Sequence, residues 1–101
     1  MLLFNTTYLV SDKVHGCWLK WVTEEHIPFM LKTGAFSQPQ VAKVLAGDKQ
    51  EGTPFAVTFC IYDLPTLEIW KEQYEDMFKK SCFEKFHTEV FSFTTVLELI
   101  V

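Results

Sequence analysis

Apolar and polar positions alternate in four separate stretches of this chain. In two longer stretches they recur every three or four positions instead. Residues 2–10 are β-prone and too short for a helix before the Ser11-Asp12 cap signal, so they predict the first strand. The cap opens a helix that runs to about Lys32 and stops at Gly34, a residue suited to the left-handed position after a helix. At 100° per residue Val14, Cys17, Trp18, Trp21, Val22 and Phe29 share one broad arc, with Glu25 inside it and Lys13, Lys20 and Glu24 opposite. Pro28 removes a helical hydrogen bond, so the helix should kink there or restart with Pro28 in a first turn. The carbonyls this frees need a partner, for which His26 is a candidate.

A loop through Phe36 and Pro39 leads to a short strand at Val41–Ala46, a polar hairpin turn at Gly47–Gly52 and a return strand at Thr53–Tyr62. Asp63 caps the second helix and Pro65 sits in its first turn. Its buried stripe is Leu67, Trp70, Tyr74, Met77, Phe78 and Ser81, and it ends near Lys85. Glu75 with Lys79 and Asp76 with Lys80 stand four apart, which marks a solvated face. The last strand spans Val90–Ile100, bent or bulged around Ser92–Thr95 where small polar residues break the rhythm.

The order β-α-β-β-α-β implies the ferredoxin-like arrangement. This is an α+β fold in which a four-stranded antiparallel sheet carries two helices on one face, here as one domain over 1–101. The opposite face stays uncovered although the strands are apolar on both sides, which calls for a second copy of the chain and so for a homodimer through the open sheet face. Bulky tryptophans pack well over small residues, so Leu3, Asn5, Thr7 and Leu9, with Ala56, Thr58 and Cys60, are expected beneath the helices. Phe4, Tyr8, Phe55 and Phe59 are then expected to face the partner.

Composition sharpens this picture. Ten phenylalanines, three tryptophans and three tyrosines in 101 residues are more aromatic surface than a small monomer easily hides. A net charge of −4, with no basic cluster beyond Lys79-Lys80, lacks the footprint of a nucleic-acid binder. Phe55 and Phe59 could stack bases in a sheet of this topology, but the accompanying basic and glycine residues are missing. Three cysteines without C-x-x-C spacing, and an N-terminus with no basic region or cleavage site, suggest a reduced, cytoplasmic protein. No apolar run approaches the roughly 20 residues of a membrane span.

Candidate chemistry centres on His15–Pro28. His15 and His26 lie roughly 16 Å apart along a helix, and His15 and Cys17 point about 200° apart, so neither pair binds a metal. Half-buried histidines bonded to backbone or carboxylate are the plain alternative. Glu25 in an apolar arc would have a raised pKa and could serve as an acid or base, or it could reach solvent at the kink. Cys17 and Cys60 read as small hydrophobes, and there is no nucleophile elbow or phosphate loop. The expected function is binding of a small apolar ligand between helices and sheet. Asn5, Thr7, His15, Trp18, Trp21, Glu25, His26, Thr58 and Trp70 are the candidate contacts, with no cofactor and no metal.

The set FNTT at Phe4–Thr7, H-x-x-W-L-x-W at His15–Trp21, EHIP at Glu25–Pro28, TGAF at Thr33–Phe36, EGTPFAV at Glu51–Val57 and TTVLELI at Thr94–Ile100 resembles a family of short bacterial proteins catalogued only as a domain of unknown function. The resemblance covers nearly the whole chain. It implies a dimeric α+β barrel and brings no established catalytic residues; Phe4 stands where many relatives are expected to carry tyrosine. Such barrels include cofactor-free monooxygenases and isomerases, the alternative function. They also include haem-degrading enzymes, to whose asparagine and tryptophan Asn5 and Trp70 are similar. The region after Trp70 holds Met77, Phe78, Lys79 and Lys80 and no histidine, which argues against haem.

Overall fold

The computed structural model describes residues 1–45 and 52–101. Strands β1 (Leu2–Val10), β2 (Phe36–Lys43), β3 (Thr53–Ile61) and β4 (Val90–Glu98) form one antiparallel sheet in the order β2-β3-β1-β4. Between β1 and β2 run a 3₁₀ turn, α1 (His15–Trp21), a π-helical turn (Val22–His26) and α2 (Ile27–Lys32); α3 (Leu64–Phe86) joins β3 to β4. The architecture is the ferredoxin-like one that the element order implies.

Local chemistry accounts for the element ends. Asp63 Oδ1 accepts from the Thr66 amide at 2.9 Å and from its hydroxyl at 2.6 Å, which caps α3 and holds the Asp63 carboxyl below its usual pKa. Gly34, at φ +85°, closes α2 with its amide donating to the Leu31 carbonyl. Gly52 takes φ +91°, and a Cβ there would lie 2.5 Å from the Val10 carbonyl oxygen. Apart from Gly52, the expected turn at Gly47–Gly52 falls outside the described residues.

Two strands differ from expectation. β2 begins at Phe36 rather than Val41, because the Phe36 ring is buried against Phe4 at 5.1 Å and Trp70 at 4.9 Å. The irregularity sits here, between Ser37 and Gln40: Gln38 has φ +51°, and Pro39, which has no amide to pair, is accommodated on an edge strand. β4 carries no bulge and pairs with β1 without interruption from Val10↔Val90 to Leu2↔Glu98. Its polar residues mark an edge strand whose helix side is left open.

The first helix reveals a spacing that a regular α-helix does not support. Trp18, Val22, His26 and Met30 are all buried, each four residues from the last. Each step of four drifts about 40° around an α-helix, so Met30 would end far from Trp18. The π turn takes up the drift, with the Ile27 amide bonding to the Val22 carbonyl five residues back. Pro28 follows in the first turn of α2, where its missing amide costs nothing further. The shift turns His26 inward. Glu25, expected in the apolar arc, is exposed instead and pairs with Lys85 at 2.8 Å, while Cys17 is also exposed.

The facing of the sheet is the reverse of expectation. Phe4, Thr6, Tyr8 and Val10 of β1, and Phe55, Val57, Phe59 and Ile61 of β3, lie beneath the helices. Asn5, Thr7 and Thr58 occupy the open face. Size matching yields here to burial of the larger apolar area, because aromatic rings interlock without needing small partners. Trp18 stacks on Phe55 at 4.9 Å, Tyr8 tilts against Trp18 at 5.2 Å, and Trp70 meets Phe4 edge-on at 5.5 Å. On α3, Leu67, Trp70, Cys82 and Phe86 are buried, whereas Met77 is exposed.

Candidate functional site

The residues expected to share a pocket are divided between two sides of the sheet. Trp18, Trp21, His26 and Trp70 are buried between helices and sheet, whereas Asn5, Thr7 and Thr58 stand on the open face. His15 is half-buried and stacks on Phe55 at 5.4 Å, and Glu25 is on the outer surface. The sheet itself separates the two sets. Trp70 borders a groove of about 230 Å³ with Thr66, Gln73 and Tyr74, and Thr7 borders an open-face hollow of about 420 Å³ with Pro54, Phe91 and Phe93.

Among the described residues the helix-sheet layer contains three buried nitrogens without hydrogen-bond partners: Trp18 Nε1, His26 Nε2 and Trp70 Nε1. His26 sits in an aromatic box. It stacks on Trp21 at 4.8 Å, tilts against Phe78 at 5.7 Å and meets Tyr8 and Phe59 edge-on. Burial pushes its pKa down to about 4, so the ring is neutral at pH 7. It is therefore not bonded through Nε2 to a freed helix carbonyl, as the break at Pro28 had suggested.

A cleft of about 340 Å³ opens between α3 and β4, lined by Tyr8, Phe78, Lys79, Cys82, Ser92, Phe93 and Thr94. It exists because β4 is an edge strand whose helix-facing residues are uncovered. Tyr8 and Cys82 are buried at its inner end. Burial, with the nearby Cys82 thiol adding to it, pushes the Tyr8 phenol well above its usual pKa, and burial pushes the thiol up to about 11. The Trp18 indole N–H faces that thiol and opposes the shift, although the pair falls short of an ordinary hydrogen bond. Thr94 shares a 3.0 Å hydroxyl-hydroxyl bond with buried Thr6, and Lys79 pairs with Glu75 at 3.6 Å. None of these lining residues was singled out from sequence as a contact. The available signal was Ser92-x-Thr94, two polar residues on the core-facing side of a strand, which mark an uncovered wall and not a bend.

The open face has its own order. Leu9, Pro54 and Phe91 form one apolar row across β1, β3 and β4, and Leu3, Cys60 and Leu97 form another. Between them Gln40, Thr58, Asn5 and Thr95 make a polar row across all four strands. Thr58 Oγ1 donates to Asn5 Oδ1 at 3.2 Å, and Asn5 Nδ2 donates to Thr7 Oγ1 at 3.3 Å. Phe91 and Phe93 are 63% and 64% exposed on this face. Among the described residues no group of three or more His, Cys, Asp or Glu is placed to hold a metal ion, and no helix is long and apolar enough to cross a membrane.

Solved structures share this fold at low identity. A dimeric ferredoxin-like protein from an uncultured marine organism is 17% identical with a TM-score of 0.70, over 99% of this chain and 94% of its own. An ethyl tert-butyl ether D (EthD) family protein from Bacillus halodurans is 11% identical with a TM-score of 0.69, over 99% and 100%. HapK from Hahella chejuensis is 10% identical with a TM-score of 0.72, over 99% and 93%. Comparison with curated proteins returns no match. The model of the domain of unknown function DUF4286 matches residues 1–100, and the chain belongs to that family.

Proposed function

We propose that this DUF4286 member works as a cytoplasmic homodimer whose two sheets oppose through their open faces, and that it binds a small, mainly apolar ligand between α3 and the sheet. The observation that carries the assembly is the pair Phe91 and Phe93, nearly two-thirds exposed beside Leu9, Pro54 and Leu97 on a face that no helix covers. A soluble monomer rarely shows a contiguous apolar patch above a few hundred Å². A two-fold related copy presents the same rows, apolar against apolar and the Asn5 row against its equivalent. The dimeric ferredoxin-like protein from the marine organism is a precedent for this fold.

Ligand binding is supported by the cleft, whose Phe78 ring and inner Tyr8 and Cys82 combine a wall for an apolar body with a few polar contacts. Native mass spectrometry of protein purified without additives tests this directly. A small apolar species released on unfolding supports the reading. Protein that carries none, and whose thermal midpoint responds to no member of a panel of small aromatic compounds, contradicts it.

A further inference from the structure

The cleft between α3 and β4 has a chemistry specific enough to name the class of molecule it suits, given the reading that it binds a ligand. Its volume of about 340 Å³ lies at the small end of ligand pockets, which run from roughly 300 to 1,000 Å³. Phe78 supplies ring surface on the α3 side, and Ser92 and Thr94 form the β4 wall; Phe93 borders the cleft from a strand position that faces the open side of the sheet. The polar groups are unequal. Thr94 is already bonded to Thr6, Ser92 stands at an exposed position, and Lys79 is exposed at the rim and paired with Glu75. That leaves the Tyr8 phenol and the Cys82 thiol as the polar side chains at the buried end.

We propose that this cleft binds a neutral aromatic molecule of one or two rings bearing a hydrogen-bond-accepting oxygen, with the Tyr8 phenol as donor to that oxygen. The aromatic body lies against the Phe78 ring. The oxygen points inward. Tyr8 stays protonated because burial opposes the phenolate, so it offers a donor and no charge. No cation lines the buried end, and an anion there would lose its hydration without compensation. The acceptor is therefore a carbonyl or ether oxygen and not a carboxylate.

Acetophenone, ethylbenzene and benzoate separate these terms, since they share one ring and differ in the oxygen and the charge. The Trp18 indole N–H resonance is the reporter, because that group faces Cys82 at the buried end. Acetophenone should shift this resonance and bind roughly tenfold tighter than ethylbenzene, the order of one buried hydrogen bond. Benzoate should bind more weakly than either. Tyr8→Phe keeps the ring packed on Trp18 and His26 and should bring acetophenone to within about twofold of ethylbenzene. Near-ultraviolet circular dichroism checks that the variant is folded. Equal binding of acetophenone and ethylbenzene, or a Tyr8→Phe variant that keeps the tenfold ratio, overturns the assignment of Tyr8 while leaving the cleft a ligand site. Ser92→Trp fills the cleft from an exposed strand position and should abolish all three interactions. If binding survives that change, or no probe binds the wild type, the ligand-binding reading itself fails.

Discussion

The imidazole of His26 lies on the indole of Trp21, with ring centroids 4.8 Å apart and planes 20° from parallel. The π turn creates this contact, since an unbroken α-helix would bring Glu25 towards the core in its place. A buried neutral histidine with Nε2 unpartnered is a source of pH-dependent stability.

The sign follows from linkage. The His26 pKa is about 4 in the folded chain and about 6.5 when unfolded, so between these values the unfolded state binds the extra proton. Stability is intact above about pH 6.5 and falls as pH drops towards 4, by about 3 kcal/mol in the limit. His26→Phe should lose most of this dependence. Urea unfolding at pH 7 and pH 4.5 measures it; an equal pH difference in variant and wild type would show that the burial of His26 is not its origin.

Pro28→Ala restores an amide directly after the last π-helical bond. The turn can then relax towards α-helix, moving His26 relative to Trp21 while helix content changes little. The expected outcome is an altered near-ultraviolet circular dichroism spectrum with an almost unchanged far-ultraviolet one. An unchanged near-ultraviolet spectrum would mean that the proline does not hold these rings.

Glu25→Gln removes a surface pair, 59% and 48% exposed at its two side chains, and should cost less than about 1 kcal/mol. Probe binding in the α3-β4 cleft should not change. A large loss of either stability or binding would return Glu25 to the list of functional groups.

Element order, caps and the open sheet face were legible in the sequence because each rests on short-range chemistry: alternation in β1 and β3, Asp63 before Pro65, Gly34 after a helical run. The facing of β1 was not. Both of its alternating sets are substantially apolar, and choosing between them required knowing that Trp18 and Trp70 pack on rings at 4.9 to 5.5 Å. The π turn was hidden for a related reason. A one-residue insertion looks like helical periodicity on either side of it, and only the burial of His26 in place of Glu25 reveals the shift. The candidate contacts inherited both errors, which is why they divide between the two faces.

Asn5 bonds to Thr58 and Thr7 on a face that a second copy would cover. A polar group within an apolar interface fixes register more than it adds affinity, and replacing it is often neutral or stabilising. Asn5→Leu should therefore preserve or tighten association while permitting more than one arrangement, seen as doubled amide resonances. A single set of resonances together with weaker association would assign Asn5 a directly stabilising role.

Sedimentation equilibrium at micromolar concentration, on the wild type and on Phe91→Glu, tests the open-face dimer most directly. Phe91 is exposed in the isolated chain, so glutamate there should leave the fold intact and place a charge in the interface. The wild type should sediment at twice the chain mass of 11.8 kDa and the variant at that mass. A monomeric wild type, or a variant that remains fully dimeric, would contradict assembly through this face.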